Sequence, residues 1–124
     1  MVPDWDSDSK LKQANDSMWL YLDDKFNHNH QKCLNDSYNT LLYTIQAFHS
    51  FNSYVDKNLS KYTNATLTTI TEWNEEILNE AAKLGEIYTS IKLSKTISLS
   101  DLDAFNKLVE DIYIKCDVLI SLNR

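Results

Sequence analysis

An all-α fold, an antiparallel helical bundle, is what this chain predicts, and three observations predict it. There is one Gly and one Pro in 124 residues, whereas β folds draw on both residue types for their turns. Apolar residues recur three and four apart along most of the chain, the period of a helix with one buried face. The composition, 43% hydrophobic and 24% charged, is that of an ordinary globular chain long enough to bury a core. Residues 1–8 read as a flexible acidic lead-in and 9–124 as a single helical-bundle domain.

The first stripe is Leu11, Ala14, Met18, Leu22 and Phe26. The second runs Leu34, Tyr38, Leu41, Ile45, Phe48, Asn52, Val55 and Leu59, an alternation of four and three broken only by Asn52. "NLSKYTNAT", residues 58–66, is rich in side chains that bond to local backbone and compete with a helix. It predicts a sharp reversal, with Thr63 or Asn64 as the next N-cap. The third stripe is Leu67, Ile70, Asn74, Ile77, Ala81, Leu84, Tyr88 and Ile91. Gly85 lies within it and reads as a place where a neighbouring helix comes close. Over residues 91–100 the apolar positions Ile91, Leu93, Ile97 and Leu99 alternate, which predicts an extended connector. Ser100 with Asp101 and Asp103 then reads as a helix start, followed by Phe105, Leu108, Val109, Ile112, Cys116 and Leu119.

"NHNH", residues 27–30, leaves the helix count open between three long helices and four. Its helix propensity is poor but it lacks Gly and Pro. If the chain breaks there, four helices alternate in direction and Cys116 lies roughly 24 Å farther along the bundle than Cys33. A disulfide needs Cα atoms within about 7 Å, so the thiols would stay free. If the first helix runs through to residue 58, the two cysteines come within about 10 Å of the same level. We take three long helices with a Cys33–Cys116 disulfide as the expectation, and the four-helix form with free thiols as its alternative.

The formal net charge of −6 excludes nucleic acid and anionic membrane surfaces as natural partners, since both are bound through excess Lys and Arg. The start "MVPDWDSDSK" is acidic rather than a basic segment leading into an apolar one. That fits a cytoplasmic chain, or a secreted one whose leader has been replaced by Met1. Four N-x-S/T sequons, at Asn58, Asn64, Asn15 and Asn35, are a modest excess over chance. With the expected disulfide they favour a secreted glycoprotein. The stretch "QKCLNDSYNTLL", residues 31–42, resembles secreted helical proteins of flies such as the tsetse EP type. That family carries more cysteines, and no residue role is transferred from it.

Catalysis is not expected. One glycine leaves no room for phosphate loops, dinucleotide fingerprints or a nucleophile elbow, and neither H-E-x-x-H nor C-x-x-C occurs. His28 and His30, two apart, point to different sides of a helix and do not converge on a metal; no cofactor is expected. The ladder Glu72, Glu76 and Glu80 reads as a solvated face that could dock a basic partner. Leu20, Tyr43, Tyr54 and Ile114 fall off the stripes and suggest a partner surface. Trp19, Phe48, Trp73, Tyr88 and Phe105 are the residues that would line a ligand cavity between the helices. The functional expectation is a small secreted bundle, a monomer or weak homodimer, that binds a protein or an apolar small molecule. The alternative is an intracellular helical adaptor, regulator or pathogen effector acting by protein–protein interaction.

Overall fold

The computed structural model describes residues 5–123, which form four helices packed as an all-α bundle: α1 (Trp5–Phe26), α2 (His30–Lys57), α3 (Asn64–Leu93) and α4 (Leu99–Leu122). The helix therefore breaks at "NHNH", and the physical reason is a left-handed residue without glycine. His28 has φ 56°. Its N–H reaches Lys25 O at 3.1 Å, while Asn29 N–H reaches Asp24 O at 2.9 Å. That pair of bonds is a Schellman closure, usually built on Gly. Asn29 then caps α2 by accepting from Lys32 N.

α1 and α2 form the most closely packed pair. The contact is made by small and hydroxylated residues: Ser7, Ala14 and Ser17 on α1 against Ser37, Thr40, Thr44 and Ala47 on α2, all buried. The hydroxyls of Ser7, Thr40 and Thr44 bond to backbone, some of it on the facing helix. Ser7 Oγ donates to Ala47 O at 3.1 Å, and Thr40 Oγ1 lies 3.5 Å from Ala14 O while donating to Asp36 O at 3.0 Å. Helices can approach this closely only where side chains are short. Residues 5–8 thus belong to the helix rather than to a flexible lead-in; residues 1–4 lie outside the described residues.

The reversal after α2 contains a short 3-10 turn, Leu59–Lys61. Thr63 caps α3 by accepting from Thr66 N, as the sequence predicts. α3 attaches through Ile70, Ile77, Leu84 and Ile91, seven residues apart and each buried, with Leu67, Asn74, Ala81 and Tyr88 half-buried between them. Asn52 and Asn74, the two polar interruptions of the stripes, meet through reciprocal amide bonds of 2.7 and 3.1 Å. α3 continues to Leu93 and α4 begins at Leu99, capped by Ser98, so residues 91–93 are helical rather than extended and the cap falls two residues before Ser100. His30 Nδ1 lies 3.2 Å from Ile97 O, which fixes the start of α2 beside the start of α4.

Gly85 meets nothing: a Cβ built on it has no neighbour within 4 Å. It is not a site of close approach, since the nearby core residue Leu84 carries the packing. Gly85→Ala is expected to stabilise the protein by about 1 kcal/mol through helix propensity and a less flexible unfolded chain, read as a higher urea midpoint.

Cys33 and Cys116 are free and buried. With α2 and α4 running the same way from the His30–Ile97 contact, the two lie roughly 24 Å apart along the bundle. The expected disulfide is therefore excluded by the break at residues 27–29.

Candidate functional site

α1 and α4 touch only sparsely, and the space between them is an open groove of about 250 Å³ lined by Asn15, Met18, Trp19, Leu22, Glu110, Tyr113 and Ile114. The cause is local. The core face of α1 is its small-residue stripe against α2, which turns Met18, Leu22 and Trp19 towards α4 and solvent. Trp19 is 66% exposed, Leu22 52% and Ile114 56%. Such a gathering of large apolar side chains at one site differs from the scattered exposure ordinary to monomers. Ile114 also borders a second groove, between α3 and α4, with Leu84, Ile87, Leu108 and Ile112.

The rim is acidic. One helical turn either side of Trp19 stand Asp16 and Asp23, and one turn either side of Ile114 stand Glu110 and Asp117, with Asp111 beside them. Lys12 is the cation in the same sector of α1. The nearby Lys25 and Lys115 are already engaged. Lys25 pairs with Asp103 at 3.0 Å, and Lys115 with Glu76 and Glu80 at 2.7 Å each.

A polar cluster closes the end of the bundle where α1 ends and α2 and α4 begin. Tyr21 OH donates to Asp103 at 2.6 Å, and that bond with the Lys25 charge holds the Asp103 carboxyl below its ordinary range. Burial, and then the Asp103 bond, push the Tyr21 phenol up. Ser37 Oγ donates to Asn106 Oδ1 at 2.6 Å, and Asn106 Nδ2 to Glu110 at 2.9 Å. Cys33 Sγ lies 3.7 Å from Tyr21 O. Burial, then the charges of Asp24, Asp36 and Asp103, raise its thiol to about 11; burial raises Cys116 to about 12. Both thiols are held protonated at neutral pH, the opposite of what a nucleophilic cysteine needs.

The sequence-predicted sites divide. Of the partner surface, Ile114 lies in the groove and Leu20 is exposed elsewhere on α1. Tyr43 sits under Lys10 at 5.9 Å and Tyr54 under Lys61 at 5.0 Å. The acidic ladder is not a free docking face, because Lys115 ties Glu76 and Glu80 to α4; Glu72 remains exposed. The cavity set is not assembled either. Phe48 and Phe105 are core, Tyr88 stacks on Tyr38 at 3.9 Å, Trp73 is half-buried, and Trp19 faces outward. Among the sequons Asn35 and Asn64 are exposed, Asn15 lines the groove, and Asn58 spends its amide on Tyr54 O at 2.8 Å.

Sequence reasoning assigned Trp19 to an interior cavity and Leu22 to the core, because the buried side of α1 carries Ser7, Ala14 and Ser17 alongside Leu11 and Tyr21 and so shows only a broken apolar signal. Among the described residues no group of three or more His, Cys, Asp or Glu is placed to hold a metal, and no helix is long and apolar enough to cross a membrane. No family model matches the chain, and neither the curated proteins nor the solved structures contain a match.

Proposed function

We propose that this chain is a protein-binding bundle whose α1–α4 groove receives the apolar side of an amphipathic helix with basic flanks. The observation that carries the reading is Trp19 exposed beside Leu22 and Ile114 within an acidic rim. Aromatic side chains in open grooves are the usual anchors of protein interfaces, and helix-in-groove docking uses spaced apolar residues of this kind. Charge decides the occupant. Asp16, Asp23, Glu110, Asp111 and Asp117 outnumber Lys12 and Lys107, so a basic partner is attracted, while a second copy of a −6 chain is repelled. An apolar small molecule is less well served, since the groove is open and the aromatic set is dispersed. Unbridged, buried cysteines belong to reducing compartments more often than to secreted chains, which supports the adaptor reading over the secreted glycoprotein.

The test uses a synthetic amphipathic peptide of leucines and lysines, followed by calorimetry and by Trp fluorescence. Saturable binding is expected, weakened at least about tenfold by Trp19→Ala. Ile114→Glu separates groove docking from charge attraction: it adds an acid, so mere attraction strengthens, whereas docking weakens. An unchanged affinity in Trp19→Ala, or tighter binding to Ile114→Glu, would overturn the proposal. So would a dimer in sedimentation that Ile114→Glu disperses, which would give the groove to a second copy.

A further inference from the structure

The α1–α2 seam is built to be nearly dry and uncharged, yet one carboxylate is set into it. Asp36 is 9% exposed, and its Oδ2 has no hydrogen-bond partner within the described residues. A buried acceptor without a donor is costly. The carboxyl group of Asp24, from the last turn of α1, lies within hydrogen-bonding reach. Two ionised carboxylates offer each other only acceptors, and their like charges repel in a poorly hydrated site. A single proton changes both facts: it removes one charge and supplies the missing O–H donor.

We propose that Asp24 and Asp36 form a proton-operated latch between α1 and α2: the seam closes around one shared proton and loosens at the His28 turn when that proton leaves. The surrounding groups favour this reading. From α1, besides Asp24, the titratable neighbours are Tyr21 and Lys25, and both are bound to Asp103. From α2 they are Lys32, one turn before Asp36, and the Cys33 thiol, held protonated by burial. From α4 they are Asp103 and Glu110, the first already paired with Tyr21 and Lys25, the second with Asn106. Lys32 is the cation that opposes proton uptake, and burial and Asp24 outweigh it: the Asp36 carboxyl is pushed up to about 7, by burial first, then by the bond and charge of Asp24.

The direction with pH follows. The Asp36 pKa is 3.8 in the unfolded reference and about 7 in the fold, so the folded seam holds the proton more tightly than the open one. Closure is therefore strongest in acid, declines as pH rises towards about 7, and is flat above it. The readout is amide hydrogen exchange at residues 22–37, divided by the intrinsic rate of the unstructured chain at each pH. The opening constant is expected to rise by up to about tenfold per pH unit between about pH 5 and 7, the limit for one proton. In Asp36→Asn the amide gives Asp24 a permanent donor, so the slope disappears while protection at alkaline pH increases. Asp24→Asn, with the donor on the other helix, shifts the transition to lower pH and carries the test if Asp36→Asn misfolds. A wild-type opening constant that is flat with pH, or a variant slope equal to the wild type's, would sink the latch. Because this readout needs no ligand, its result is independent of what the α1–α4 groove binds.

Discussion

Phe105→Ala is expected to cost about 3–5 kcal/mol of unfolding free energy, the range for deleting a buried aromatic ring. Phe105 is fully enclosed and stands where three helices meet. Its ring from α4 faces Tyr88 of α3 at 6.2 Å, and Tyr88 in turn stacks on Tyr38 of α2 at 3.9 Å. α3 has few other ties to α2, so the truncated site would leave a cavity beside the Tyr38–Tyr88 bridge between them. Domains of this size have about 5–15 kcal/mol in total, and the variant should lose a large part of its urea midpoint. The same truncation at outward-facing Trp19 should move that midpoint little, which separates a core aromatic from a surface one.

Ala47→Leu should be nearly as damaging, by about 3 kcal/mol, through overpacking rather than a void. Ala47 is completely buried in the α1–α2 seam, and its carbonyl accepts the Ser7 hydroxyl at 3.1 Å. A leucine there has no free volume to occupy. It must push α1 away, breaking that bond and the neighbouring Thr40 contact. The expected signature is a lowered urea midpoint with early proteolytic cleavage confined to α1, while α2–α4 stay resistant.

These two sites differ in how visible they were in the sequence. The stripe from Phe105 to Leu119 and the heptads of α2 and α3 are long apolar patterns, and they located the helices and most core residues, although Leu108 is exposed and the buried Leu102 was not among them. Asn52 was legible as an anomaly in its heptads, and it proves to bond Asn74 of the third stripe. The α1–α2 seam was hidden because close approach selects Ser, Thr and Ala, which look like solvent-facing residues to any reading based on hydropathy. The apparent stripe of α1 therefore drifted off the core after Met18, onto Leu22 and Phe26, which are exposed. The turn at residues 27–30 was legible as a possible break but not as the expectation: a Schellman closure is normally recognised by its glycine, and here His28 takes the left-handed position. Preferring the unbroken helix carried the disulfide expectation with it. The groove was missed in consequence, since Met18, Trp19 and Leu22 had been assigned to the interior and only Ile114 to a surface.

The attachment of α3 by one fully buried residue per seven has a consequence for how this chain can change over time. Four side chains, Ile70, Ile77, Leu84 and Ile91, with their half-buried neighbours, specify where a thirty-residue helix lies. Substitutions on the remaining surface cost little stability, typically within about 0.5 kcal/mol. α1 is the reverse case, because its seam tolerates neither added bulk nor lost hydroxyls. Sequence drift should therefore concentrate in α3, and chains descended from a common ancestor with this one would keep its unremarkable serines and alanines longer than its conspicuous charges.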